Sequence, residues 1–340
     1  MMHNNQSSSA LAVPAMRPVA PQAVTLSQDL HEWLGQQSYD VCYLLVDPQL
    51  RAIEKTEPLG YALEQCALAS PQANRYTVTL PITKEHSPWF MPLDVSKAND
   101  SHAVALSIED ALDELVPQHL IQGLGRRIGG WMVSQARDID IGKHLSSVMV
   151  QTAPGGISML LRIHDNSVLW LLWAVLTPVQ KNQLLGPILH WFIVDISGQM
   201  VRLDRPDDQE QQEPLRLTTA QWADVANMQA INNALALWAA QRPPEQALRA
   251  NVLHQAAQTV IAAARRANAI GLKDTKDISL FAQHALQHGS AFDSHPDIAA
   301  LLTKCDPTKH TDPDRYSSAV DGLSADDWSR IARETQGITA

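Results

Sequence analysis

160-LLRIHDNSVLWLLWAVLTPVQKNQLLGPILHW-191 is the stretch of this chain whose pattern decides its fold. Its start alternates: Leu161 and Ile163 flank Arg162, so the arginine points away from the face the two apolar side chains share. That alternation, entered through Pro154-Gly155-Gly156, predicts a strand over Ile157–Ile163. A polar turn, His164-Asp165-Asn166, follows, and Asp165 or Asn166 can cap a helix over Ser167–Leu176. Thr177-Pro178-Val179-Gln180 combines a capping box with proline at the first helical position, which predicts a second helix over Pro178–Leu185. Past Gly186-Pro187, a return strand over His190–Ile196 carries Trp191. It leads through Ser197-Gly198-Gln199, a hairpin signal, into a strand over Met200–Leu203. Strand, turn, two capped helices and return strand make an α/β unit.

On the N-terminal side, the apolar run Val41–Val46 closed by Asp47-Pro48 reads as a buried strand and turn. Tyr76–Leu80 alternates and reads as a second strand ended by Pro81, with a helix between them over Gln49–Ala69, interrupted near Pro58-Leu59-Gly60. Ser107-Ile108-Glu109-Asp110 predicts the start of an amphipathic helix reaching Val116, with the serine capping its first turn. Trp131–Val133 and Val148–Thr152 read as strands around a short helix over Ile141–Ser147. On the C-terminal side, Arg205–Arg216 is polar, acidic and bounded by prolines, and reads as a linker. No strand pattern follows it. A capping box at Thr218–Gln221 opens a helix carrying Trp222, Val225, Met228, Ile231, Leu235 and Trp238, broken by Pro243-Pro244. Leu248, Val252, Ala256, Val260 and Ala264 form an i+4 ridge beside Leu253, Ala257 and Ile261. Further helices are expected over Asp277–Gln287, Ser294–Lys304 and Ser324–Arg333, with Ser294 and Ser324 as caps facing Asp297 and Asp327. The expected fold is therefore an α/β N-terminal lobe, a mixed sheet with flanking helices, followed by an all-α helical C-terminal lobe. The expected boundaries are a flexible tail over 1–25, the α/β domain over 26–204, a linker over 205–216 and a helical domain over 217–340.

The totals narrow the function classes. A formal net charge of −10 offers no attraction to phosphate backbones, so no nucleic-acid partner is expected, and no polybasic membrane patch stands out. The N-terminal segment is broken by Pro14, Arg17, Pro18 and Pro21 and lacks the unbroken apolar core of a signal peptide. The most apolar run, Val168–Leu176, falls short of the roughly 20 residues needed to cross a bilayer. A soluble, cytoplasmic protein is the expectation. The three cysteines, Cys42, Cys66 and Cys305, are scattered and read as free, buried thiols.

Motifs for chemistry are scarce. Gly123-Leu-Gly125-Arg-Arg-Ile-Gly129-Gly130 places its third glycine one residue late for a dinucleotide loop and leads from helix into strand, so it reads as a turn that lets Trp131 pack. The histidines, 13 in all, show no zinc-ligand spacing; His284 and His288 share a helix face and read as half a site at most. Gly156-Ile157-Ser158-Met159-Leu160 lacks the second glycine of a nucleophile elbow. No catalytic residue, cofactor or metal is expected. A hydrolase using His164 and Asp165 beside Ser158 or Ser167 stays open as an alternative, because such groups can converge in space without a motif. The polar cluster Arg162, His164, Asp165 reads either as an Arg162–Asp165 pair holding the strand-to-helix turn or as the polar rim of a partner surface. Of nine tryptophans, Trp170 and Trp173 in an apolar helix and Trp191 in a strand read as core, while Trp33, Trp89, Trp222 and Trp328, in more polar contexts, are core residues or interface anchors.

Leu160-Leu-Arg-Ile-His-Asp-Asn-Ser-Val-Leu169 resembles a segment of the type VI secretion effector chaperones, a family catalogued as a domain of unknown function (DUF4123-like). That family carries apolar-Arg-apolar-aromatic-Asp-Pro-x-Val-Leu, then a helix and a turn with glutamine, Gly-Pro and a tryptophan-bearing strand. Gln180, Gly186-Pro187 and Trp191 follow here in that order. Tyr43-Leu-Leu-Val-Asp47 resembles the start of such proteins, Leu217–Trp222 the opening of their helical region, and Phe281 through Trp328 the tail of some members. Leu161, His164 and Asn166 stand where the family has phenylalanine, an aromatic and proline. The resemblance implies a non-catalytic, cytoplasmic adaptor that binds a toxic effector protein and helps load it onto the spike protein of the secretion machine (VgrG-type). It implies Arg162, His164, Asp165, Trp191 and Trp222 as candidate contact or structural residues. An immunity-type protein that occludes a toxin is a further binding alternative.

Overall fold

The computed structural model describes residues 18–39, 41–49, 51–70, 74–115, 126–206, 213–241, 250–310 and 314–336. Its frame is a six-stranded sheet in the order β2-β3-β1-β4-β7-β8, built from β1 (Val41–Val46), β2 (Tyr76–Thr77), β3 (Trp89–Asp94), β4 (Ile128–Ser134), β7 (Ile188–Val194) and β8 (Met200–Asp204). Every pairing in it is antiparallel. A separate ribbon pairs β5 (Val150–Thr152) with β6 (Ser158–Leu160).

Helices cover both faces of the sheet, which is why β1 reads as an unbroken apolar run instead of alternating. Successive side chains still divide between two cores. Cys42, Leu44 and Val46, with Trp131, Val133, Phe192 and Val194, face α1 (Pro21–Gln36), α2 (Pro58–Ala69) and α3 (Ala98–Asp113). Tyr43 and Leu45, with Met132, Trp191 and Ile193, face α4 (Asp138–Met149), α5 (Asn166–Val175) and α6 (Pro178–Leu185).

The C-terminal region from Thr219 to Gln336 is all helical: α7 (Thr219–Ala226), α8 (Met228–Ala240), α9 (Ala250–Ala269), α10 (Thr275–His288), α11 (Pro296–Cys305), α12 (Tyr316–Val320) and α13 (Ala325–Gln336). The alanine-rich ridge of α9 is buried as its spacing predicts, with Ala256, Ala257, Val260, Ala263, Ala264 and Ala267 nearly inaccessible. Small side chains let neighbouring helices approach closely. The second core does not stop at the lobe boundary: it runs from Tyr43 through Leu172 and Leu235 to Ile331.

Several boundaries differ from the sequence expectation, each for a local reason. The second strand pairs only over Tyr76–Thr77: the Val78 amide still donates to the Pro88 carbonyl at 2.8 Å, but proline has no N–H to continue the ladder, and the Thr79 carbonyl accepts from the Ser146 hydroxyl instead. The helix expected from Gln49 begins at Pro58, where proline starts it instead of interrupting it. Gly60 is required there, since a Cβ would lie 2.0 Å from the Glu54 carbonyl oxygen. Ser107 is no cap; it sits in the middle of α3, donating to the Val104 carbonyl and accepting from Trp131 Nε1. Val148 and Met149 still belong to α4, and the strand expected over Ile157–Ile163 pairs only over Ser158–Leu160. The long helix after Thr218 is divided at Asn227. His295, not Ser294, caps α11, while Ser324 does bond the Asp327 amide. Gly129 and Gly130 lie inside β4. Gly123, Gly125, residues 207–212 of the expected linker, Pro243-Pro244, Leu248 of the expected ridge and residues 1–17 of the expected tail lie outside the described residues.

Candidate functional site

The polar cluster is organised by Asp47, at the end of β1. The apolar run that precedes it drives β1 into the middle of the sheet, and the carboxylate emerges fully buried. Asp47 Oδ2 accepts from Arg162 Nη2 at 2.9 Å and lies 3.1 Å from His164 Nε2; its Oδ1 accepts from the Gln49 amide at 2.9 Å. Its own amide donates to the Arg127 carbonyl at 2.7 Å. Arg162 thus pairs with an acid 115 residues away, not with Asp165 as the sequence suggested. Asp165 instead caps α5, its Oδ1 accepting from the Ser167 amide at 2.9 Å and from the Ser167 hydroxyl at 2.6 Å. Asn166 is the first residue of the helix.

The orientation of Arg162 follows the alternation: Leu161 and Ile163 are buried, while the arginine side chain keeps 31% of its surface. His164 is inaccessible. Burial pushes the Asp47 carboxyl up, but the His164 hydrogen bond and charge, the Gln49 amide and Arg162 outweigh it and hold the carboxyl below its ordinary range. The neighbouring Arg127 is just as enclosed, facing Glu57 at 2.9 Å, Asp110 and Glu114. Burial drives the Glu114 carboxyl up to about 7, against the Ile128 and Arg127 amides that bond it.

Trp191 and Trp222 are both interior. The Trp191 indole donates to the Gly129 carbonyl at 2.8 Å, through space that only a glycine at 130 leaves open. At Gly130, with φ +102°, a Cβ would lie 2.2 Å from the Phe192 carbonyl oxygen and 2.9 Å from Trp191 Nε1. Trp222 is buried in α7. Neither is an exposed anchor. Trp33 remains partly accessible, with Arg202 4.9 Å above its ring.

Two glutamines complete the picture. Gln180 and Gln221 each close a capping box, on α6 and α7, and the two side-chain amides bond each other at 2.9 and 2.8 Å. Gln180 also donates to the Arg216 carbonyl and Gln221 to the Val175 carbonyl. The two identical T-x-x-Q boxes were legible in the sequence; that they face each other was not.

The groups of the hydrolase alternative are not drawn together. His164 Nε2 faces Asp47, the Ser167 hydroxyl is bonded to Asp165, and Ser158 is exposed on β6. His284 and His288 do share a face of α10, but His288 stacks on Trp328 while His284 packs against it at a tilt, and His284 Nδ1 meets the Tyr316 hydroxyl at 2.7 Å. Burial lowers His284 to about 3. Among the described residues no group of three or more His, Cys, Asp or Glu is placed to hold a metal ion. Cys42, Cys66 and Cys305 are free and buried. No described helix is long and apolar enough to cross a membrane.

Residues 42–183 match a family model described as Domain of unknown function (DUF4123). The matched segment opens on β1 and Asp47 and closes in α6, so it contains the whole Asp47–Arg162–His164 cluster and Gln180. No curated protein and no solved structure matches the chain.

Proposed function

With a DUF4123 match over residues 42–183 as the premise, we propose that this protein is a cytoplasmic adaptor of type VI secretion. It binds a toxic effector protein and helps load it onto the spike protein, without catalysing a reaction. The match carries this reading, because its span includes the ordered set that resembles the effector chaperones: Asp47, Arg162, Asp165 and Gln180, in their places in the fold. The acidic charge fits a protein partner better than a polyanion. No observation favours the hydrolase alternative, since neither serine meets His164.

Co-expression with the effector encoded beside it tests the proposal. A stable complex and increased soluble effector are expected. Failure to co-purify with any neighbouring gene product overturns it. Survival of toxin-challenged cells separates an adaptor from an immunity protein: the adaptor alone gives no protection.

A further inference from the structure

Where the sheet meets the helical region, Arg126, Asn166, Ser167, Asp195 and Asn232 line a cavity of ≈ 10 Å³. A site for one buried water needs about 10–15 Å³ and two to four polar partners. The lining supplies them. Asn166 is 1% exposed, yet neither Oδ1 nor Nδ2 bonds a protein group among the described residues, and Arg126 Nε is in the same position. Leaving such a group unbonded is destabilising, because its lost hydration is not replaced.

The protein groups nearby are already engaged. Asn232 Nδ2 reaches towards the Ser167 carbonyl at 3.5 Å. Asp195 Oδ1 accepts from the Ser197 amide at 2.8 Å, its hydroxyl at 2.6 Å and the Gln199 amide at 3.1 Å. Arg126 uses Nη1 on the Val194 carbonyl at 2.6 Å. What remains is an orphaned donor and an orphaned amide on two residues that line a space the size of one water.

We propose that this cavity is a binding site for a single ordered water that joins Arg126 to Asn166 across the seam. The water accepts from Arg126 Nε–H, donates to the Asn166 side chain and directs its second proton towards the Asp195 carboxylate. The amide is turned so that Oδ1, the acceptor, faces the water. The bridge links Arg126, two residues before β4, Asp195, just past β7, and the first turn of α5, with Asn232 of α8 lining the space. The inference stands on this geometry and is independent of the adaptor function.

The test is a high-resolution crystal structure of the full chain, paired with nuclear Overhauser measurements from water to the Asn166 side-chain amide and to Arg126 Nε–H. A water within about 2.7–3.2 Å of both Asn166 and Arg126 Nε is expected. Asn166→Pro supplies the contrast. Position 166 is the first of α5, and Asp165 already has the extended ψ of 116° that a following proline requires. The variant is expected to fold and to lose the long-lived water signal at Arg126. A dry cavity in the wild-type chain, an Asn166 amide bonded directly to Asp195 or Asn232, or an unchanged water signal in Asn166→Pro overturns the proposal. If the variant does not fold, the wild-type structure decides alone.

Discussion

Asp47 shows how much one buried acid can organise. Its carboxylate is inaccessible and is balanced by Arg162, His164 and the Gln49 amide. Removing one partner of a buried charge leaves the other uncompensated. Arg162→Ala is therefore expected to lower stability by about 1–3 kcal/mol, read as a fall in urea midpoint, and His164→Ala by a similar amount. If Arg162 is scaffold, effector binding by the folded variant is unchanged. Loss of binding at unchanged stability would make it a contact residue. The depressed Asp47 carboxyl also sets a pH dependence. Its contribution is fully present above the unfolded value of about 3.9 and is lost as pH falls through the lower folded value. Unfolding midpoints should drop below about pH 4, and Asp47→Asn should shrink that drop. Gly130→Ala is expected to cost about 3 kcal/mol or more, because the strand needs a positive φ and the added methyl meets the Phe192 carbonyl. That Arg162 leaves the apolar face was legible from alternation. Its partner was not, because nothing local distinguishes Asp47 from Asp165 as the acid within reach.

At the scale of elements, the two reciprocal capping boxes were read securely, whereas the single-serine caps expected at Ser107 and Ser294 do not form. Thr177–Gln180 and Thr218–Gln221 form the reciprocal bonds their spacing predicts, since a capping box is complete within four residues. Strand lengths were read less well. Tyr76–Leu80 and Ile157–Ile163 have the right alternation, but a strand exists only where a partner supplies its hydrogen bonds, and Pro88, opposite Val78, has no N–H to give. Ser107 has the composition of a cap and the position of a core residue, because α3 begins earlier and needs the hydroxyl for the Trp131 indole. The pairing of Gln180 with Gln221 belongs to this scale too. Gln180→Ala and Gln221→Ala should each destabilise by about 1–3 kcal/mol. The double variant should cost less than the sum, because the first substitution already breaks the shared bonds; strict additivity in denaturant titrations would show the amide pair to be uncoupled.

For the whole molecule, the core shared by the sheet and the helical region predicts one cooperative unfolding transition. Far-ultraviolet dichroism and tryptophan fluorescence should give coincident urea curves; two separated transitions would show two independent units. Composition and periodicity alone established a sheet with flanking helices followed by an all-helical region, with free cysteines in its core, because each of these depends on local spacing and on the drive to bury apolar faces. The ordered residues from Leu160 to Trp191 likewise pointed to the family whose model matches residues 42–183. Only the tertiary structure decided that Trp222 is interior, that Asp47 anchors the Arg162 cluster, and that two capping boxes clasp the sheet region to the helices. Those outcomes depend on which distant segments meet. A side chain's sequence neighbourhood constrains the direction it points, but its partner is chosen by the packing of the entire chain.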